Sequence, residues 1–338
     1  MSINPVEIPT GAVRYNTDSN KMEVYIGSTW MEVAVSSPNL DGGTRGVHNL
    51  GQFSPALNTL EFLTISTQGN STDFGDATKK VIGGSSPSSR TRGLFGGGNE
   101  GAPAYGDSNI IDFITFTSTG NATDFGDTTV TLDYGRGNVS NGTRGLFFGK
   151  RTVNNICFVT IASTGNALDF GDFNENIGGG PVGASSPTRG IFAGGYHPSP
   201  SPFVVRTRIN FVTISTKGDT EDFGDLTVAR AHSGVCGNAT RILIASGYSA
   251  PSAYLQSIDK ITTSTLGNAT NFGDTSFAAY GKGSTSSATR GLFIGGAPTA
   301  SNVIDYNQIA TEGNSVDFGD IGTGSAWIAA CSNGHGGL

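Results

Sequence analysis

From residue 44 to the end of the chain, apolar residues come in short bursts that glycine closes. LFIGG (residues 292–296) is one such burst, too short for a helix and bounded by breakers. A second kind, FVTIST (residues 211–216), alternates β-branched and aromatic residues in the period-2 pattern of a strand. A Gly-Asn pair follows, as at Gly120 and Asn121, or Gly-Asp, as at Gly218 and Asp219. Both residues of the pair tolerate positive φ, so STGNAT predicts a hairpin turn. The strand that leaves this turn carries Phe-Gly-Asp. The pattern predicts strands and no helix.

The pattern also repeats. Phe-Gly-Asp occurs six times, beginning at Phe74, Phe125, Phe170, Phe223, Phe272 and Phe318 and ending at Asp76, Asp127, Asp172, Asp225, Asp274 and Asp320. Thr-Arg occurs six times after residue 40, at Arg45, Arg92, Arg144, Arg189, Arg241 and Arg290; five continue into Gly and one into Ile242. Four strands in each unit of about 50 residues predict an all-β fold, a six-bladed β-propeller. From the third-strand position (Phe62, Phe113, Phe158, Phe211, Lys260, Tyr306) to the Phe of Phe-Gly-Asp is 12 residues in every unit. From the Thr of Thr-Arg to that position the spacing is 18, 22, 15, 23, 20 and 17 residues, so length varies in one connection on one face. A rigid scaffold with one variable face is laid out for binding. Cys331 lies 11 residues past Asp320 as Cys236 lies 11 past Asp225, so residues 325–332 supply a first strand that pairs with residues 45–48 and closes the ring. Residues 30–36 are the competing candidate for that strand.

Residues 1–40 lack the repeat and form a separate segment ahead of a propeller at 41–338. Two alternating stretches, 12–15 and 22–26, flank NTDSN and predict a β-hairpin. A lone hairpin buries too little apolar surface to stand by itself, so it needs a partner.

Two resemblances follow from these residues. The double-glycine strand and the period resemble kelch repeats over residues 44–338, with Phe in place of the usual late Trp. Gly11, Arg14, Tyr15, Asn16, Thr17, Asn20, Glu23, Tyr25, Gly27 and Trp30 resemble a short module of bacteriophage tail-fibre and other virion proteins. The resemblance implies a structural or adhesion role on a phage particle, oligomeric within it. Residues 1–40 would anchor the chain to other virion proteins, and the propeller would face a host-surface receptor or glycan. A carbohydrate-active propeller enzyme is the alternative, which a pair of carboxylates within about 5–10 Å on one face would favour.

Composition narrows this further. A net charge of −7 leaves no basic excess for phosphates, which argues against nucleic-acid binding. No apolar run approaches the roughly 18 residues of a membrane span, and the N-terminus lacks the pattern of a signal peptide. Cys157, Cys236 and Cys331 have no metal spacing and read as small buried residues.

A motif present six times does not read as an active site, so no enzyme activity and no cofactor are expected. The Phe reads as core. The Asp reads as a partner for backbone N–H groups or for the Thr-Arg arginine at a junction between units. Calcium at the aspartates is not expected, because no second carboxylate recurs at a fixed offset. GGGNEG (residues 96–101) precedes no helix and reads as a loop. His48, His197, His232 and His335 have no ligand spacing, so no metal is expected. Binding candidates are singular residues in long variable loops: Tyr105 in one, and Tyr196, His197, Phe203, Arg206 and Arg208 in another, where aromatics beside Arg and His suit sugars or a protein partner.

Overall fold

A computed structural model describes residues 8–17, 21–32, 44–51, 56–101, 105–133, 135–175, 179–197, 204–249 and 253–334. The fold is all-β: the described residues hold 31 strands in seven sheets and no helix. The chain divides into two compact parts, Met1–Gly42 and Gly43–Leu338.

The first part is a three-stranded antiparallel sheet, Val13–Asn16, Lys21–Ile26 and Thr29–Glu32. The expected hairpin is thus extended by a third strand, which a tight turn with Gly27 at φ 67° makes possible. Part of the NTDSN turn lies outside the described residues. The motif residues interlock on one face: Arg14 Nε donates to Glu23 (2.8 Å), Asn16 Nδ2 donates to the same carboxylate (2.9 Å), and the Arg14 guanidinium lies 4.2 Å from the Trp30 ring. The other face pairs Val13 with Val24, Val24 with Met31 and Tyr15 with Met22, and leaves Val13, Tyr15, Met22 and Met31 exposed.

The second part contains six repeats of a four-stranded antiparallel arrangement. Repeat 2 is Gly84–Ser85, Arg92–Gly96, Ser108–Thr115 and Thr123–Leu132. Repeat 3 is Val139–Ser140, Arg144–Phe147, Asn155–Thr160 and Leu168–Asp172. Repeat 4 is Val182–Ser185, Arg189–Ala193, Arg208–Thr213 and Glu221–Asp225. Repeat 5 is Gly234–Gly237, Arg241–Ala245, Ala253–Thr262 and Thr270–Ala279. Repeat 6 is Gly283–Ser286, Arg290–Ile294, Val303–Gln308 and Val316–Asp320. Repeat 1 takes three strands from the start of this part, Arg45–Asn49, Thr59–Thr64 and Thr72–Asp76, and its first strand, Ala330–Ser332, from the end of the chain. Ala330 faces His48 and Ser332 faces Gly46, so the tail closes this sheet, with a shorter strand than 325–332. Trp30, from the competing candidate, lies instead in the N-terminal sheet; residues 33–36 lie outside the described residues.

Phe-Gly-Asp builds both the core of each repeat and the joint to the next. In all six fourth strands the register slips at this Phe, a β-bulge that turns the ring inward. Each of the six Phe side chains is 2% exposed, a burial worth about 1.5–3 kcal/mol. In five repeats the ring meets the third-strand aromatic edge-on, as in Phe62–Phe74 at 6.1 Å and Tyr306–Phe318 at 6.0 Å. The Gly that follows has positive φ and touches the Gly-Asn turn of the next repeat: a Cβ on Gly75 would lie 2.5 Å from the Gly120 carbonyl carbon. The turn is then stapled on both sides. Gly120 N–H donates to the Phe74 carbonyl (2.7 Å), and Asp76 N–H donates to Asn121 Oδ1 (3.1 Å). The same staple joins repeat 1 to repeat 6, where Gly69 N–H donates to Phe318 O (2.9 Å) and Asp320 N–H to Asn70 Oδ1 (3.0 Å).

A second seam links the first strands. Ser88, Ser140, Ser185, Ser286 and Ser332 are buried, and each hydroxyl donates to the carbonyl at the same position one repeat earlier. Repeat 5 has Gly237 there, where a Cβ would meet the Arg241 carbonyl at 2.5 Å and Ile242 at 2.8 Å. The hydrophobic core is correspondingly divided into six clusters, each lying between neighbouring repeats, one of them between repeats 6 and 1. Glycine after Thr-Arg makes this packing possible: a Cβ on Gly93 would meet Cys331 Sγ at 2.6 Å. Ile242, the exception, shares its cluster with the small Ala184. All three cysteines are buried, and burial raises their thiol pKa.

Candidate functional site

The repeated arginines do not pair with the repeated aspartates. Each Thr-Arg guanidinium reaches backbone carbonyls of the next repeat: Arg92 bonds to Ala162 (2.9 Å), Arg144 to Ser215 (2.7 Å), Arg189 to Thr263 (2.9 Å), Arg241 to Ile309 (2.9 Å), Arg290 to Ser66 (2.8 Å) and Arg45 to Phe116 (2.6 Å). Five of them lie over the third-strand aromatic, at 4.5–5.0 Å. Direct Arg–Asp pairing fails on strand direction. Arg45 is level with Thr64 while Asp76 is level with Thr59 on the same strand, about 16 Å away. What the Asp contributes to the joint is its backbone; of the side chains, Asp225 accepts from the Thr207 hydroxyl at 2.7 Å.

A second acidic position does recur, against expectation. The residue 13 places before the Phe of Phe-Gly-Asp is Glu61, Asp112, Cys157, Asn210, Asp259 or Asp305, and all six are buried. Asp112 takes both the N–H (2.8 Å) and hydroxyl (2.6 Å) of Thr78 from the preceding repeat, and Asp259 does the same with Thr227. Three of these carboxylates have a buried basic neighbour: Glu61 lies 3.9 Å from His48, Asp259 3.2 Å from Arg230 and Asp305 3.3 Å from Lys282. Each carboxylate also reaches the preceding repeat: Glu61 accepts from Gly322 N–H (3.1 Å) and Asp305 from Ser276 N–H (3.3 Å), as Asp259 does from Thr227. Among the described residues no group of three His, Cys, Asp or Glu could hold a metal ion.

Of the loop candidates, Arg206 and Arg208 converge on Glu175, with Arg208 also 3.2 Å from Asp222. Burial raises the Glu175 pKa, but the two guanidiniums outweigh it and hold the carboxyl below its usual range. Tyr105 is exposed at φ 49° in a separate loop, and His197 is half-buried in a two-residue strand with Tyr196. Phe203 lies outside the described residues.

Tyr196 does belong to a larger array. The second-to-third connections and the links into each first strand leave from the same edge of the sheets, and aromatics from several repeats meet there. Tyr196 lies 5.6 Å from His232, His232 4.8 Å from Trp327, Trp327 5.6 Å from Tyr280, and Tyr280 stacks on Tyr254 at 5.1 Å, with Tyr248 6.3 Å from Tyr254. Tyr254 is 39% exposed. Arg136 lies 5.0 Å from the Trp327 ring. His232 and Trp327 hold φ values of 58° and 63°, at a position occupied by Gly83, Gly180 and Gly281 in other repeats with φ 71°, 67° and 72°. A non-glycine there costs about 1–3 kcal/mol, strain of the kind that collects at functional sites. Burial, with Arg136 and Arg151 nearby, holds His232 well below its ordinary pKa. These residues depart from the repeat in the sequence: His232 and Trp327 stand where sister copies have glycine, Tyr280 stands where two copies have Ala231 and Ala326, and Tyr196, Tyr248 and Tyr254 flank the variable connection. That departure was the available signal.

No protein-family model matches the sequence, and no curated protein matches it. Among solved structures the chain is similar to YjhT, with a TM-score of 0.58 and 11% identity, over 73% of this chain and 86% of that one. At that identity the similarity speaks to the fold alone.

Proposed function

We propose that the second part is a six-bladed, kelch-like β-propeller, and that the chain is a bacteriophage virion protein whose aromatic face binds a glycan on the host surface. Three features support the ring reading. The Gly-Asn staple links repeat 1 to repeat 6, the serine seam runs on from Ser332 to Ser286, and a core cluster joins the same two repeats.

The observation that carries the binding role is the array from Tyr196 to Tyr248, two of whose members are held in a backbone conformation that favours glycine. Aromatic faces stack on the apolar faces of sugar rings, and their tyrosine hydroxyls supply polar contacts at the rim. The exposed apolar face of the N-terminal sheet suits an anchor to another virion protein. Binding to surface polysaccharide from susceptible bacteria, measured for the wild type, Tyr254→Ala and Trp327→Ala, tests the reading. Loss of binding at least tenfold in both folded variants is expected; unchanged affinity in both overturns it. Turnover of the bound glycan would instead favour the carbohydrate-active enzyme. Removing residues 1–40 should block incorporation into particles and leave the second part folded.

A further inference from the structure

Among the described residues Arg90 is the one arginine that meets no carboxylate, no backbone carbonyl and no aromatic ring. It is exposed, in the connection between the first and second strands of repeat 2, two residues ahead of Arg92. The other copies have Gly43, Gly142, Pro187, Ala239 and Ala288 there, so only repeat 2 brings a second arginine to the Thr-Arg position. Arg92 itself is held in place. Its Nη1 donates to the carbonyls of Ile161 (3.3 Å) and Ala162 (2.9 Å), and its guanidinium lies 4.8 Å from the Phe113 ring. That leaves Nε and Nη2 of Arg92 without a partner among the described residues.

Both arginines wall one open depression of about 660 Å³, shared by repeats 2, 3 and 4. Ser89, Asn141, Ala162 and Pro187 are among its other walls, and none of the walls is acidic. The depression thus carries two positive charges in a chain whose net charge is −7. Asn141 Oδ1 accepts the N–H groups of Thr143 (3.1 Å) and Arg144 (2.8 Å), which leaves its Nδ2 as a free donor among the described residues. A smaller depression of about 190 Å³ in repeat 5 also has two cations, Arg241 and Lys260, but there Glu312 of the next repeat pairs with Lys260. The first-to-second connections leave from the edge of the sheets opposite the aromatic array, so the two places are independent.

We propose that this depression binds an acidic sugar residue of a polysaccharide, with Arg90 and Arg92 on its carboxylate and Asn141 on its hydroxyls. The volume falls within the range of small-ligand sites, about 300–1,000 Å³, and far exceeds what a lone ion needs. The planar fork of a guanidinium holds both oxygens of a carboxylate at once. Arg92 is already ordered by its carbonyl bonds and the Phe113 ring, so little side-chain entropy is lost when it binds. An acidic peptide would need an apolar pocket for an anchoring side chain, and the only apolar walls are the small Ala162 and Pro187.

The test measures binding of the full chain to polygalacturonate and to its fully methyl-esterified form, which keeps the sugar and removes the charge. The wild type should prefer the charged polymer by about tenfold or more at low salt. Arg90→Ala should weaken that binding about tenfold, and it leaves the fold intact because Arg90 is exposed and unpartnered among the described residues. Asn141→Asp preserves the turn, since a carboxylate accepts the same two N–H groups, but sets a negative charge between the arginines and should abolish binding. Tyr254→Ala should bind polygalacturonate as the wild type does, which separates this site from the aromatic array. Equal affinity for the charged and esterified polymers, or wild-type affinity in both Arg90→Ala and Asn141→Asp, would overturn the proposal. So would a loss in Tyr254→Ala as large as that in Arg90→Ala. Tighter binding of poly-L-glutamate than of polygalacturonate would also overturn it and assign the depression to an acidic peptide.

Discussion

Removing the Asp259 carboxylate should cost more than any surface change in this protein. Asp259 and Arg230 are both fully buried, 3.2 Å apart. The carboxylate also takes the Thr227 N–H at 2.8 Å and the Thr227 hydroxyl at 2.6 Å, so it joins repeat 4 to repeat 5. Asp259→Ala deletes all three partners and strands a guanidinium, which costs about 3–5 kcal/mol. Arg230 keeps its bonds to the Ser257 carbonyl (2.8 Å) and hydroxyl (3.0 Å), which places the loss toward the lower end. Asp259→Asn retains one acceptor and loses the charge, for about 1–3 kcal/mol. In Arg230→Met the carboxylate still has both Thr227 donors, so the loss should be about 2–3 kcal/mol. The double variant should then lose about 1.5–3 kcal/mol less than the sum of the two single losses. The assay is equilibrium urea unfolding at pH 7 with the slope held common to all four proteins. Strict additivity would refute the pairing argument. A loss under about 0.5 kcal/mol for Asp259→Ala would refute the staple itself.

Gly126→Ala should be far more damaging than Gly120→Ala, though both glycines have positive φ: a Cβ at Gly126 lies 2.6 Å from the Gly165 carbonyl, while one at Gly120 meets nothing within 4 Å. Thermal melts should show a loss of about 3 kcal/mol or more against about 1, and equal losses would show that the inter-repeat contact is not what selects glycine. Stability should fall in mild acid. Burial, the largest effect on each, holds both His48 and His232 below their ordinary value of 6.5, so the unfolded chain takes up protons first as pH drops. The contribution is full above about pH 6.5 and is lost below it, by up to about 1.4 kcal/mol per pH unit for each histidine. His48→Gln should reduce the slope of Tm between pH 6.5 and 5, and a flat wild-type profile would contradict the sign. His232→Gly should relieve about 1 kcal/mol of backbone strain and at the same time weaken glycan binding, measured by melting and by binding to the same polysaccharide; a loss of stability without a loss of binding would make the residue purely structural.

The division between what was legible and what was not follows from how the joints work. Phe-Gly-Asp and Gly-Asn stood out because one steric fit is used six times, and each use demands the same bulge, the same absent Cβ and a side-chain oxygen acceptor, from Asn in five joints and from Asp219 in the sixth. The tail strand was legible for the same reason, since Cys331 occupies the place of Cys236. Of the two partners expected for the repeated charges, backbone groups are the ones the structure shows; direct Arg–Asp pairing fails because the antiparallel sheet sets the two residues level with opposite ends of the third strand. The third N-terminal strand was placed wrongly: residues 30–36 read as a candidate for closing the ring, whereas Thr29–Glu32 pairs with Lys21–Ile26 across the tight turn at Gly27. The buried carboxylates were missed because their identity drifts among Glu, Asp, Asn and Cys while their place does not.

That drift points to where function is to be sought in a chain of near-identical units. Positions that keep their residue serve the joints, and their purpose is met equally in every copy. A position that changes in one copy has been released from that duty or given another. Ile242 is the first kind of change: it fills space beside Ala184, and its only consequence is packing. His232 and Trp327 are the second kind, because each replaces a glycine at left-handed φ and so carries a cost that packing alone does not require. Arg136 stands where the other copies have Gly84, Pro181, Ser233, Lys282 and Ile328, a position free to vary, and there it brings a charge with no acceptor supplied by the described residues. The last two sets lie together, with the guanidinium 5.0 Å from the Trp327 ring. Exceptions to a sixfold rule would scatter if they were neutral, and their convergence on one edge of the sheets is the physical reason to look for binding there.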